Sequence, residues 1–323
     1  MSRTLYPKIS PTHTQLLEVG NQHSLYVEQT GNPEGTPVIY IHGGPGAGSS
    51  ENYRRYFDPE RYHIILFDQR GCGRSMPSPS IEANTLWDLV ADLERIREAL
   101  NVSKWLVTGG SWGTTVALAY GIKYPNQCLG FILRGVFLGE QQELDWLYQS
   151  SGAARFFPEY YREFTEMLSL DSRSELLEGY HQLIHSENEI AATAAAKAWF
   201  LWELRLSSIE HHHVDKRQIQ DSHQALCMAK LSTHYFVNNC FMSPSYLLAN
   251  VDQISHLPAI VLHGRYDMVC QLDSAYKLVS SWRNSSLQIL PCAGHSGFET
   301  QTIDAFCKAA DTMASFFDES TPE

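Results

Sequence analysis

Residues 104–121, KWLVTGGSWGTTVALAYG, constrain this chain more than any other stretch. A short apolar run meets a longer one, and Gly109, Gly110, Ser111, Trp112 and Gly113 stand at the junction. The first run reads as a buried strand and the second as a helix. Gly109 and Gly113 flank Ser111 as G-x-S-x-G, the pattern of a sharp strand-to-helix turn that holds a serine strained and exposed. Glycine tolerates dihedrals and close approaches that a side chain forbids. The N–H groups of the following helix point back at the serine, where negative charge can develop. A serine that merely caps the helix would stand in the same place. The pentapeptide therefore leaves two readings open, nucleophile or cap.

The rest of the chain repeats the alternation. Residues 14–42 alternate apolar and polar positions around NPEG, which predicts antiparallel strands ending in Val38-Ile39-Tyr40-Ile41. HIILF (63–67), WLV (105–107), FILRGVF (131–137), AIVLH (259–263) and LQIL (287–290) read as further strands. Leu86, Leu89, Val90, Leu93, Ile96 and Leu100 keep helical spacing, and a last helix is predicted at roughly 301–317. Strands alternating with amphipathic helices predict an α/β fold, a mostly parallel central sheet covered by helices on both faces. Residues 140–250 break the rhythm with helical spacing and many Trp, Tyr and Phe. They are expected to form an all-helical cap domain, inserted into a core domain built from residues 1–139 and 251–323.

Bulk properties narrow the function. A net charge of −12 argues against nucleic acid or an anionic membrane as partner. No apolar run approaches the length of a membrane span, and MSRTLYPKIS lacks the apolar core of a signal peptide. Seven scattered cysteines without a C-x-x-C fit free thiols in a reducing compartment. The expectation is a soluble, cytoplasmic protein. His211-His212-His213 does not predict a metal site, because adjacent helical residues do not face one point and no acid or cysteine spacing accompanies them.

A serine nucleophile needs a base, a group that orients the base, and donors for the oxyanion. The sequence supplies each at the end of a strand. His42-Gly43-Gly44-Pro45-Gly46 follows Val38–Ile41, where backbone N–H groups can approach a developing alkoxide alongside that of Trp112. Asp267 lies four residues past AIVLH, and His295 a short loop past LQIL. In a parallel sheet these ends share one edge, where open α/β sheets place their sites. The order Ser111, Asp267, His295 is the order of an α/β-hydrolase triad.

HGGPG (42–46), DQRGCGRS (68–75), GGSWGTTVALAY (109–120), LRGVFL (133–138), WLYQSSGA (146–153), HGRYDMVC (263–270) and AGHSGFE (293–299) resemble the prolyl aminopeptidases, or proline iminopeptidases, of the α/β-hydrolase superfamily. The resemblance runs over nearly the whole chain. It implies removal of N-terminal proline from small peptides without metal or other cofactor. It implies Ser111 as nucleophile, His295 as base and then acid, and Asp267 as its orienter. Gly44 and Trp112 would give the oxyanion N–H groups, with Gly43 as a substitute. Phe137, Tyr148 and Phe236 would form the proline pocket, and Glu203, in Trp202-Glu203, would hold the substrate's amine. Family members commonly carry a second glutamate shortly before His-Tyr-Phe, and this chain has Ser232 there. Arg134 is expected to be structural, since its charge would repel an ammonium unless an acid pairs it. Cys270 is expected to border the site. The rival functions are an esterase or amidase on the same fold, which has no need of Glu203, and a non-catalytic binding protein, in which a triad member would be expected to be lost.

Overall fold

The structure is a computed structural model and describes residues 3–173, 175–209 and 221–320. Eight strands form one sheet: β1 (His13–Gly20), β2 (His23–Gly31), β3 (Thr36–Ile41), β4 (Tyr62–Phe67), β5 (Trp105–Ser111), β6 (Cys128–Val136), β7 (Ala259–Gly264) and β8 (Ser285–Leu290). Their spatial order is β1-β2-β4-β3-β5-β6-β7-β8. β1 and β2 form an antiparallel hairpin, β2 runs antiparallel to β4, and every other pairing is parallel.

One expectation changes here. The NPEG turn does not join two antiparallel neighbours, because β4 lies between β2 and β3 and β3 pairs in parallel with β4 and β5. The physical reason is legible in burial. Val38, Ile39, Tyr40 and Ile41 are all buried, so β3 has two apolar faces and belongs in the middle of a covered sheet. The hairpin turn is instead at Asn21 and Gln22, both with positive φ.

Helices cover each face. On one, α1 (Leu86–Ala99) and α2 (Trp112–Lys123) pack against Ile39, Ile41, Val107 and Leu133. Thr85 and Asp88 close a reciprocal capping box at the start of α1, and its buried stripe is Leu86, Leu89, Val90, Leu93 and Ile96. On the other face, α10 (Thr300–Ser320) lays Phe306, Ala310, Met313 and Ala314 against Val38, Tyr40, Leu106 and Ile132. Phe306 stacks on Tyr56 with centroids 4.4 Å apart, and truncating such a ring to alanine costs about 3–5 kcal/mol.

Between β6 and β7 the described residues hold helices and no strand: α3 (Gln141–Tyr148), α4 (Pro158–Thr165), α5 (Leu176–Ile184), α6 (Glu189–Leu206), α7 (Ser222–Val237) and α8 (Tyr246–Asn250). An aromatic cluster of Tyr148, Phe164, Tyr180, Trp199 and Trp202 holds α3 to α6 together. α9 (Leu272–Ser281) then returns to the sheet. Among the described residues no helix is long and apolar enough to cross a membrane.

Candidate active site

β5 runs directly into α2, and Ser111 is the hinge, at φ 57° and ψ −128°. A non-glycine residue in that region stores about 1–3 kcal/mol of strain. Its side chain makes no capping hydrogen bond to α2, so the structure does not use it as an ordinary cap. The flanking glycines have steric reasons. A Cβ on Gly113 would run into the Ile41 carbonyl at the end of β3, and one on Gly109 would come within 2.7 Å of the Gly113 carbonyl.

Asp267 and His295 approach from the next two strand ends. His295 Nδ1 donates to Asp267 Oδ2 at 2.8 Å, which leaves Nε2 as the ring nitrogen able to take up a proton. The amides of Val269 and Cys270 donate to Asp267 Oδ1 at 3.0 and 2.8 Å. Burial alone would raise the Asp267 pKa, but attraction to His295 and these hydrogen bonds hold it below the ordinary carboxylate value. His263, a polar residue in an otherwise apolar strand, lies beneath. Its Nδ1 accepts from the Val136 amide at 3.3 Å, so Nε2 carries the proton and donates to the Cys270 carbonyl at 2.8 Å. Burial lowers its pKa and keeps it neutral beside Asp267. Gly135, at φ +57°, leaves room for the pair: a Cβ there would sit 3.2 Å from the His295 ring.

The HGGPG loop packs over the serine. A Cβ on Gly43 would lie 3.2 Å from that of Ser111, and Gly44 has a φ of +118°. Gln69 clamps this loop to the turn. Its amide N–H donates to His42 Nε2 at 3.0 Å, its side-chain nitrogen to the His42 carbonyl at 2.7 Å, and its side-chain oxygen accepts from Trp112 Nε1 at 3.0 Å. Asp68 takes hydrogen bonds from the Ser49 amide and hydroxyl and from Arg74, which braces the next stretch of the loop.

These elements enclose a cavity of about 270 Å³ lined by Gly43, Gly44, Ser111 and His295, with Glu203 on the α6 wall. Glu203 is only 9% exposed, and Tyr148 donates its hydroxyl to the carboxylate at 2.8 Å. Burial pushes its pKa up to about 7, against the pull of the Tyr148 hydrogen bond. Phe137, Tyr148 and Phe236 come together, with centroids 5.8 Å apart for Phe137–Phe236 and 5.9 Å for Tyr148–Phe236. None of the three is among the residues lining the open cavity, and Tyr148 alone is joined to it, by its hydrogen bond to Glu203. Ser232 is fully buried and faces elsewhere, its hydroxyl donating to the Pro45 carbonyl at 3.4 Å.

Sequence reasoning did not find Tyr53 and Phe298, which also line the cavity and stack on each other at 5.5 Å. Tyr53 stands in no motif, and AGHSGFE points to its His295 and not to its Phe298; only the folded loops bring the two rings together. Arg134, expected to be structural, also lines the cavity, and its Nη1 donates to the His295 carbonyl. Cys270 is buried at the base of the site, where burial holds its thiol pKa well above the ordinary value. His211, His212, His213 and Glu210 lie outside the described residues, among which no cluster of three metal-ligating side chains occurs.

A strained hydroxyl, an imidazole on a buried carboxylate and a glycine loop together can support acyl transfer. A buried acid in the same cavity can accept a cationic amine. Residues 36–302 match the family model described as the alpha/beta hydrolase fold. The chain is 44% identical over 312 residues to the proline iminopeptidase of Xylella fastidiosa, covering 96% of this chain and 99% of that protein. The Arabidopsis thaliana proline iminopeptidase is 44% identical over 299 residues, 92% of this chain and 78% of that one. Among solved structures, Bacillus anthracis bromoperoxidase superposes with a TM-score of 0.67 at 16% identity, over 94% of this chain and 100% of that one. The proline iminopeptidase of Mycobacterium smegmatis gives 0.61 at 17%, over 96% and 100%. At such identities the likeness speaks for the fold alone.

Proposed function

The chain belongs to the proline iminopeptidases of the α/β-hydrolase fold, and from that premise we propose a serine aminopeptidase that releases N-terminal proline from small peptides. Ser111 Oγ attacks the prolyl carbonyl while His295 Nε2 takes its proton. Asp267 fixes the imidazole through the 2.8 Å bond to Nδ1 and stabilises the imidazolium that forms. The N–H groups of Gly44 and Trp112 receive the oxyanion. His295 returns the proton to the leaving amine, and water repeats the sequence to free proline and Ser111. The reaction uses no cofactor.

Glu203 binds the prolyl ammonium, and the rings of Phe137, Tyr148 and Phe236 back the apolar side of the proline. Residues 140–250 act as the cap domain that closes this end of the substrate, on a core of residues 1–139 and 251–323. All seven cysteines are unpaired, six of them buried, which supports a cytoplasmic setting.

The observation that carries the reading is a buried carboxylate in the same cavity as Ser111 and His295. An esterase on this scaffold has no use for it. Initial rates on prolyl, alanyl and leucyl 4-nitroanilides beside 4-nitrophenyl esters test the choice. The prolyl anilide is expected to be cut fastest among the anilides, and rapid ester cleavage with an untouched prolyl anilide would overturn the reading.

A further inference from the structure

The cavity holds a second buried charge. Arg134, at the end of β6, is 8% exposed, and among the described residues it makes no ion pair. Tyr40, Tyr53 and Tyr56 surround the guanidinium, Nη1 donates to the His295 carbonyl, and Nε is buried without a partner. Asp267 attracts the guanidinium but is already bonded to His295, and burying a cation without a counter-ion in contact is costly. Hydrogen bonds to the His295 carbonyl and to the Tyr40 hydroxyl do not require that cost, because a neutral amide could donate in the same place.

The position of the charge supplies a reason. A Cβ on Gly110 would run into the guanidinium, and one on Gly297 would approach Nε to 3.4 Å. The guanidinium thus lies beside the neighbour of Ser111, about one 3.8 Å residue step away along β5, and against the loop that follows His295. Arg134 shares this region with Tyr53, Ser296, Gly297 and Phe298, whereas Glu203 comes from the wall formed by α6. One cavity therefore carries a carboxyl from the helical wall and a guanidinium from the sheet edge, and among the described residues neither makes an ion pair.

We propose that Arg134 binds the C-terminal carboxylate of the residue that follows proline, so that the favoured substrate is a dipeptide zwitterion. The inference rests on the aminopeptidase reading above. With the prolyl ammonium at Glu203 and the prolyl carbonyl at Ser111, the carboxylate carbon of a dipeptide is three bonds beyond the scissile carbonyl carbon. That separation is about one residue, the step between Ser111 and the neighbour that Arg134 abuts. Each added residue moves the carboxylate up to about 3.3–3.6 Å farther away. Guanidinium and carboxylate pair through parallel hydrogen bonds, which makes this contact selective as well as strong. Phe298, 39% exposed and stacked on Tyr53, offers a surface on which the leaving residue can rest.

The test compares Pro-Ala with Pro-Ala-amide and Pro-Ala-Ala on the wild-type protein. kcat/KM for the free dipeptide is expected to exceed that for the amide about ten- to a hundredfold, mainly through KM, with the tripeptide nearer the amide. In Arg134→Gln the acid-to-amide ratio should fall to about one. Arg134→Lys keeps the charge without the fork and should reduce the ratio without abolishing it. Loss of support at the His295 carbonyl would slow acid and amide alike and leave the ratio where it was. A wild type that treats acid and amide equally overturns the proposal, as does a ratio that survives in Arg134→Gln. Failure of the underlying reading looks different: prolyl 4-nitroanilide itself would then go uncut.

Discussion

The two walls of the cavity are built by different means. At the sheet edge, backbone places the residues: β5, β7 and β8 run in parallel register, so Ser111, Asp267 and His295 emerge from strand ends on the same side. At the helical wall, side chains do the placing. Glu203 is set by its packing on α6, by the Tyr148 hydroxyl and by the aromatic cluster around Trp199 and Trp202. The edge gives a fixed chemical apparatus, and the wall gives a pocket whose charge depends on a few buried contacts. Substitution of the triad at the edge should therefore act on turnover, and substitution of Glu203 at the wall on binding.

The largest expected effect tests the edge. Ser111→Ala removes the nucleophile and relieves none of the packing that fixes the turn, so kcat for prolyl 4-nitroanilide should fall by several orders of magnitude. The melting temperature should change little. Retention of more than about a tenth of the activity would remove Ser111 from its role and with it the contrast between the two walls.

That contrast also governs what could be read in advance. The edge was legible because strand, glycine turn and polar residue follow one another in sequence, as in LVTGGSWG and AIVLHGRYD. The parallel sheet and α1 were legible from apolar spacing. The order β2-β4-β3 was not, since NPEG looks like any turn and only the double-sided burial of β3 reveals its central place. At the helical wall, periodicity could announce helices but not which acid faces inward; Glu203 came from resemblance alone. Tyr53, Phe298 and the unpaired state of Arg134 depend on long-range packing that no local pattern encodes.

An intermediate effect probes the wall. Glu203→Gln keeps the shape of the side chain and removes the charge, so KM for prolyl substrates should rise about ten- to a hundredfold while kcat changes less. The sign with pH follows from burial. The folded-state value of about 7 is raised above the ordinary 4.5, so the ionised, amine-binding form is lost as pH falls through about 7, and wild-type KM should rise there. In the variant this rise should be absent. Stability runs the other way: below about pH 4.5 the carboxyl is neutral folded or unfolded, and the cost of ionising it in the fold grows until about pH 7. Glu203→Gln should thus be more stable than wild type at pH 8, by on the order of a few kcal/mol at most, and melt higher there, and the gap should close at pH 4.5. A variant with unchanged KM and no pH-dependent gap in melting would mean that the amine is held elsewhere.

The smallest effect is the sharpest comparison, because Ser232 belongs to the wall by sequence resemblance and to the edge by contact. Its hydroxyl is fully buried and donates to Pro45 in the HGGPG loop at 3.4 Å, long for a hydrogen bond, rather than facing the cavity. Ser232→Ala removes that contact and leaves one carbonyl less well satisfied, which should cost at most about 1 kcal/mol of stability. If the hydroxyl only braces the loop, KM for prolyl substrates should stay within about twofold, because the hydroxyl does not meet the substrate and even full transmission of a bond worth under 1 kcal/mol would shift a constant by less than about fivefold. Any change should then appear in kcat, through the glycine loop that Pro45 adjoins. If KM instead rises for prolyl 4-nitroanilide while cleavage of N-blocked esters is unaffected, the hydroxyl turns to the amine when substrate binds. Glu203 would then share its task with Ser232, and the wall would adapt to its ligand as the edge does not.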